Sequence, residues 1–106
     1  MELKKEFQTI RDWAKDKGIF DKGDVKTQYV KLQEEAGELA KSIMKKDYEE
    51  FKDSIGDCAV VLTNLAKLGG DYFGIELTIE DCINSAYDVI SKRTGKMVDG
   101  TFVKDK

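Results

Sequence analysis

Residues 31–64 read KLQEEAGELAKSIMKKDYEEFKDSIGDCAVVLTN. In and just before the first half, Val25, Tyr29, Leu32, Ala36, Leu39 and Ile43 recur at steps of four and three, and Tyr48, Phe51, Ile55, Cys58, Leu62 and Leu65 do the same in the second. Each series predicts a helix with one apolar stripe. At about 100° per residue, Gln28, Lys31, Glu35 and Glu38 fall in a band along one flank of the first stripe, with Glu34 just beyond. Glu50, Asp53, Ser54, Asp57 and Asn64 form a similar band beside the second. Helices joined by a short turn pack antiparallel, so the two bands would face each other and gather several carboxylates beside a shared seam. Such a cluster repels itself unless a cation sits within it. An oxygen-only donor set suits a hard ion, Mg²⁺ or Mn²⁺. The same acids would also suit an ordinary solvated helix surface. Two features favour a site. The acids flank the seam rather than oppose it, and Gly37 and Gly56 interrupt good helices at about 1 kcal/mol each relative to Ala.

The segments KLQEEAGELA and DSIGDCAVVL together resemble the MazG-type nucleotide pyrophosphohydrolases, above all their short phage-type members. Members carry EExxE on one helix and ExxD on the next. Glu34, Glu35 and Glu38 match the first motif, and Asp57 matches the final Asp of the second. Ser54 stands three residues before Asp57, where the family has Glu; Asp53 or Glu50 could supply the missing oxygen. Glu50 and Asp53 also read as ExxD, but the apolar run that should follow at once is absent, which favours the Asp57 register. The resemblance spans roughly residues 8–103.

That resemblance implies an all-α, four-helix bundle of the MazG type with a small C-terminal β-hairpin, assembled as a homodimer or homotetramer. It also implies Mg²⁺-dependent hydrolysis of a nucleoside triphosphate, a deoxynucleoside triphosphate being favoured, to the monophosphate and pyrophosphate. The metal ligands would be Glu35, Glu38, Asp53 and Asp57, with Mn²⁺ an alternative ion, and Glu34 and Glu35 the catalytic carboxylates, Glu34 orienting or deprotonating the water. Trp13 and Gln28 would meet the nucleoside, and Lys31, Arg93 and Lys96 the phosphates. Asp88 stands where many relatives carry Asn. Each assignment has a plainer reading: Trp13 as core filler, Lys31 as a helix ion pair with Glu35, and Lys92, Arg93 and Lys96 as cations at a helix C-terminus. Two functional alternatives stand beside the pyrophosphohydrolase: a phosphoribosyl-ATP pyrophosphohydrolase, which shares the general bundle, and a non-enzymatic helical oligomerisation or regulatory module.

Composition sets the bounds. At 106 residues the chain is expected to be one domain, residues 1–106, with a usable but modest core. Charged residues make up 37% and the formal net charge is −3, unlike the basic footprint of a nucleic-acid-binding protein. No apolar run approaches membrane-spanning length and no signal peptide opens the chain, so a cytoplasmic protein is expected. Cys58 and Cys82 read as buried free thiols. There is no His, so acid–base or metal chemistry falls to carboxylates, Lys, Tyr or water. There is no Pro either, in keeping with long helices.

Outside the acidic segments, residues 2–17 predict a first helix on Leu3, Phe7, Ile10 and Ala14, stopping at Gly18. Residues 18–24 read as a loop, with Asp24 an N-cap for a helix over 25–45. Asp47 would cap a third helix running to about Leu68, apolar around much of its girth, with Val60 and Val61 outside the main stripe. A monomer this small cannot cover such a helix, which predicts a homo-oligomer with this helix near the interface. Residues 69–77 read as a flexible connection, and Thr78 with Asp81 as a capping box. A fourth helix would run to about Arg93, facing the core with Ile79, Ile83, Ala86 and Ile90. Asp99-Gly100 between short alternating runs signals a hairpin, expected to pack on the bundle.

Overall fold

A computed structural model describes residues 4–106. The elements in order are α1 (Lys4–Asp16), α2 (Ile19–Lys22), α3 (Val25–Lys45), α4 (Tyr48–Phe73), α5 (Ile79–Ile90), β1 (Gly95–Val98) and β2 (Thr101–Lys104). The chain is thus mostly helical with one small antiparallel hairpin. Leu3, assigned to the first stripe, lies outside the described residues.

The helix boundaries follow capping chemistry. Asp24 is extended and its carboxylate accepts from the Thr27 N–H at 2.8 Å. Asp47 accepts from the Glu50 N–H at 3.1 Å. Thr78 and Asp81 exchange side-chain and backbone bonds as a full capping box. Each satisfies N–H groups that a helix start leaves without partners. Gly18 ends α1 at φ 80°, the left-handed conformation only glycine adopts without cost.

Three boundaries differ from expectation. The stretch 18–24 contains a single helical turn, α2, on the apolar pair Ile19 and Phe20. α4 continues through Gly69 and Gly70 to Phe73 rather than stopping near Leu68. Both glycines are buried, and the chain doubles back over Gly70: a Cβ there would meet Leu77 Cβ and the Ile75 carbonyl, each at 2.9 Å, whereas a Cβ on Gly69 would make only ordinary contact with Val25 at 3.9 Å. Gly70 serves close approach rather than helix breaking. α5 ends at Ile90, short of Arg93.

The α3–α4 pair is the main packing unit, with α1, α2 and α5 resting on α4. What it buries is unusual. Ser42, Ser54, Thr63 and Asn64 are buried alongside Ala14, Val61, Ala66 and Leu68. The expected stripes lie largely outside this seam: Tyr29, Ile43, Tyr48, Phe51, Ile55 and Leu62 are all exposed in the single chain. On α5, Ile83 and Ile90 are likewise exposed, against expectation. An antiparallel helix pair can cover only one face of each member, and the polar flank occupies it. The hairpin forms as expected, with Asp99 and Gly100 both at positive φ in a two-residue turn. However, neither strand packs on a helix among the described residues, and Met97, Phe102 and Val103 stay exposed. The accessible surface is 8362 Å², against roughly 6000 Å² for a compact monomer of this mass.

Arg11 ties α1 to α5. Its guanidinium donates to both Glu80 oxygens, at 2.6 and 2.7 Å, with side chains only 11% and 17% exposed. Hydrogen bonding to Arg11 holds the Glu80 carboxyl below its ordinary range. A lowered folded-state pKa stabilises above the unfolded value and is lost as pH falls through the folded one. Glu80→Gln should therefore cost about 1–3 kcal/mol at pH 7, and the difference from the parent should shrink as pH drops below the normal Glu range. Denaturant melts at neutral and acid pH check this; a pH-independent difference would contradict it.

Candidate active site

The site is built by the turn between α3 and α4. Lys46 takes a left-handed φ of 56°, its N–H bonding back to Ser42 and Ile43, and Asp47 immediately caps α4. Only these two residues separate the helices, so the antiparallel register is rigidly set. Glu35 on α3 comes beside Asp57 on α4, both lining one cavity, and the Glu35 charge acts on the Asp57 carboxyl. At the same register, about 10 Å along the helices by the 1.5 Å rise per residue, Gln28 comes level with Asn64. In the other direction Ser54 comes level with Glu38.

Glu35 and Asp57 open into a cavity of about 230 Å³. Trp13 from α1 and Ile19 from α2 wall one side; Gln28, Lys31 and Glu35 line it from α3, and Asp57, Val60, Val61 and Asn64 from α4. The Lys31 ammonium lies 3.4 Å from Glu35 and 3.7 Å from Glu34. Asp57 also lines an adjoining hollow with Asp53. A larger hollow, about 730 Å³, opens beside the start of α3. Its acids are committed elsewhere, Asp24 as the α3 cap and Asp71 to Lys67.

The electrostatics of the smaller cavity are unbalanced. Burial pushes the Asp57 carboxyl above its ordinary range, the charges of Asp53 and Glu35 push it further, and Lys31 pulls the other way. The sign matters. A carboxyl with a raised folded pKa favours folding below its unfolded value, and that contribution is lost as pH rises through the folded value. In its charged form Asp57 is thus disfavoured here, first by burial and then by the charges of Asp53 and Glu35. Among the described residues no three acids or thiols converge into a ready metal cage; Glu35 and Asp57 line the one cavity, and Asp53 lines its neighbour.

The structure thus brings Trp13, Gln28, Lys31, Glu35 and Asp57 to one cavity and Asp53 to its neighbour. Glu34 and Glu38 are exposed on α3 and line neither. Arg93 and Lys96, exposed beyond α5, line neither as well. Val60 and Val61, read in the sequence as faces outside the stripe awaiting a partner, instead line the cavity, Val61 at 5% exposure. Asn64 belonged to the expected band without a role; its place at the cavity floor, seven residues after Asp57, was legible as the next-but-one turn of the same face.

Comparisons with known proteins bear on the family of the chain. A family model described as the MazG nucleotide pyrophosphohydrolase domain matches residues 23–98, which include α3, α4 and α5. A protein of Haemophilus phage HP1 (strain HP1c1), described as an uncharacterized 18.2 kDa protein in the rep-hol intergenic region, is 39% identical over 66 residues. The match covers 62% of this chain and 40% of the phage protein's length. No solved structure matches the chain.

Proposed function

Because the chain belongs to the MazG nucleotide pyrophosphohydrolase domain family, we propose that it hydrolyses a nucleoside triphosphate, a deoxynucleoside triphosphate by preference, to the monophosphate and pyrophosphate. The observation that carries this reading is the pairing of Glu35 with Asp57 in a cavity walled by Trp13. The residues fit a hard divalent cation: their donors are all oxygens, and burial together with the charges of Asp53 and Glu35 disfavours the charged form of Asp57, with Lys31 the opposing cation. Glu35 and Asp57 would hold the ion, with Asp53 and Glu38 completing the set and Mg²⁺ expected. Bound there, the cation supplies charge neutralisation for the polyphosphate.

The chain's own groups do the rest. Trp13 and Gln28 receive the nucleoside, and Lys31 holds a phosphate oxygen. Glu34, which shares Lys31 with Glu35, orients the attacking water and takes its proton. The water oxygen bonds to the α-phosphorus as the bond to the α–β bridging oxygen breaks, and that electron pair leaves with pyrophosphate. Having Asp57 rather than Glu50 face Glu35 supports the Asp57 register of the second motif. Ser54 is only 3% exposed, so a carboxylate there would point into the seam at the level of Glu38.

An assembly of copies fits the same reading. The exposed stripes of α3 and α4, the outer face of α5 and the unpacked hairpin form far more apolar surface than a monomer keeps in water. The excess area, on the order of 2000 Å², is what an obligate dimer buries. Arg93 and Lys96 line neither cavity of the single chain, and a partner copy that brought them to the acids would let them hold pyrophosphate.

Incubation with a panel of nucleoside triphosphates and Mg²⁺ should release monophosphate and pyrophosphate in equal amounts, with none in EDTA. Glu35→Gln should lower turnover by about 100-fold or more while leaving helical content intact. Release of orthophosphate, or near-normal turnover by that variant, would overturn the assignment. In sedimentation at micromolar concentration the protein should run as a dimer or tetramer, and Ile55→Lys, on the exposed stripe, should shift it toward monomer. A soluble monomeric parent would remove the assembly from the proposal.

A further inference from the structure

The buried polar groups of the α3–α4 seam fall into two kinds. Ser42 and Thr63 satisfy themselves locally, their hydroxyls donating to the carbonyls of Leu39 and Ala59 at 2.7 Å. Asn64 does not. It is 2% exposed, and its side-chain oxygen is buried with no hydrogen-bond partner. The side-chain oxygen of Gln28 is in the same state. Both amides line the cavity that holds Glu35 and Asp57. Buried polar atoms are nearly always paired, and two orphans at one level of one cavity mark groups kept for something that enters it.

We propose that Asn64, with Gln28 beside it, is a specificity-determining residue that hydrogen-bonds the polar edge of the substrate's nucleobase; this rests on the pyrophosphohydrolase reading above. The placement favours the base over the other parts of a nucleotide. The amides carry no charge to offset phosphate, and Lys31 and the acids stand at the other end of the cavity. Seven residues along each helix, about 10 Å, separate the amide pair from the Glu35–Asp57 pair, a span one nucleoside bridges from phosphate to base edge. The cavity's other walls are Trp13, Ile19, Val60 and Val61, apolar side chains with one flat indole on which a ring can stack, and poor partners for a sugar. A carboxamide presents a donor beside an acceptor, the pattern that reads a base edge in two bonds. A site built on such groups discriminates strongly, because the wrong base leaves them unpaired.

The test uses Asn64→Leu, which keeps the branching at Cγ and removes the hydrogen bonding, and Gln28→Leu, on the half-buried face of α3, should Asn64→Leu fail to fold by circular dichroism. kcat and KM are measured for the four deoxynucleoside triphosphates with Mg²⁺. Quenching of Trp13, the sole tryptophan, is titrated with the four monophosphates. The parent should prefer one base. The variant should compress that preference by at least about tenfold, through KM for the preferred substrate more than through kcat, and the order of quenching should flatten with it. A variant that retains the parent's preference, or loses activity on all four equally, would overturn the role of Asn64 and leave the hydrolytic reading intact. If the parent turns over none of the four, that reading fails. The base subsite then stands only if quenching still depends on both the base and Asn64, and otherwise falls with it.

Discussion

The two-residue turn at Lys46–Asp47 is the constraint from which the rest follows. It requires Lys46 to adopt a left-handed conformation, at a cost of about 1–2 kcal/mol for a residue with a Cβ. In return the last carbonyls of α3 and the first amides of α4 are both satisfied within two residues. With no slack in the connection, α4 cannot slide along α3. Glu35 meets Asp57, and Gln28 meets Asn64, because the turn admits one register.

That register directs the polar flanks of the two helices inward and leaves much of their apolar stripes outward. For a lone domain this is a poor arrangement: it buries carboxylates and unpaired amides and exposes isoleucines and aromatics. It becomes reasonable if each face has a partner. On the proposed reading the inner face, with its acids, its amides and a tryptophan, takes the nucleotide, and the outer face, with its exposed isoleucines and aromatics, takes a second copy. The strain of the seam and the exposure of the stripes are two consequences of the same choice, and both point away from a protein that functions alone and empty.

Most helix boundaries were legible because caps are local. Asp24, Asp47, Thr78 with Asp81 and Asp99-Gly100 each act through bonds within a few residues of themselves, and all form as read. The clustering of Glu35 with Asp57 was legible too, since it needs only the helical repeat and a short turn. Other features depend on contacts distant in sequence. Gly69 and Gly70 looked like a break because a double glycine ordinarily is one, yet the helix runs on, and the return of Leu77 over Gly70 gives that glycine its use. Val60 and Val61 looked like surplus apolar girth; the approach of α1 and α2 turned them into a cavity wall. The burial of α5 and the hairpin was overestimated, since apolar periodicity tells that a face wants cover without telling which chain provides it.

The central claim is that the Glu35–Asp57 pair is destabilising by itself and is held for a cation. Thermal unfolding of the parent and of Asp57→Asn at neutral pH, in EDTA and then in millimolar Mg²⁺, addresses it directly. Without metal, Asp57→Asn should melt higher than the parent, because the substitution removes a carboxylate whose charged form is disfavoured by burial and by the charges of Asp53 and Glu35. With Mg²⁺ the parent should gain stability by mass action while the variant gains little. A variant that melts lower than the parent in EDTA, and responds to Mg²⁺ as the parent does, would mean that the pair is an ordinary structural contact and that the metal centre lies elsewhere.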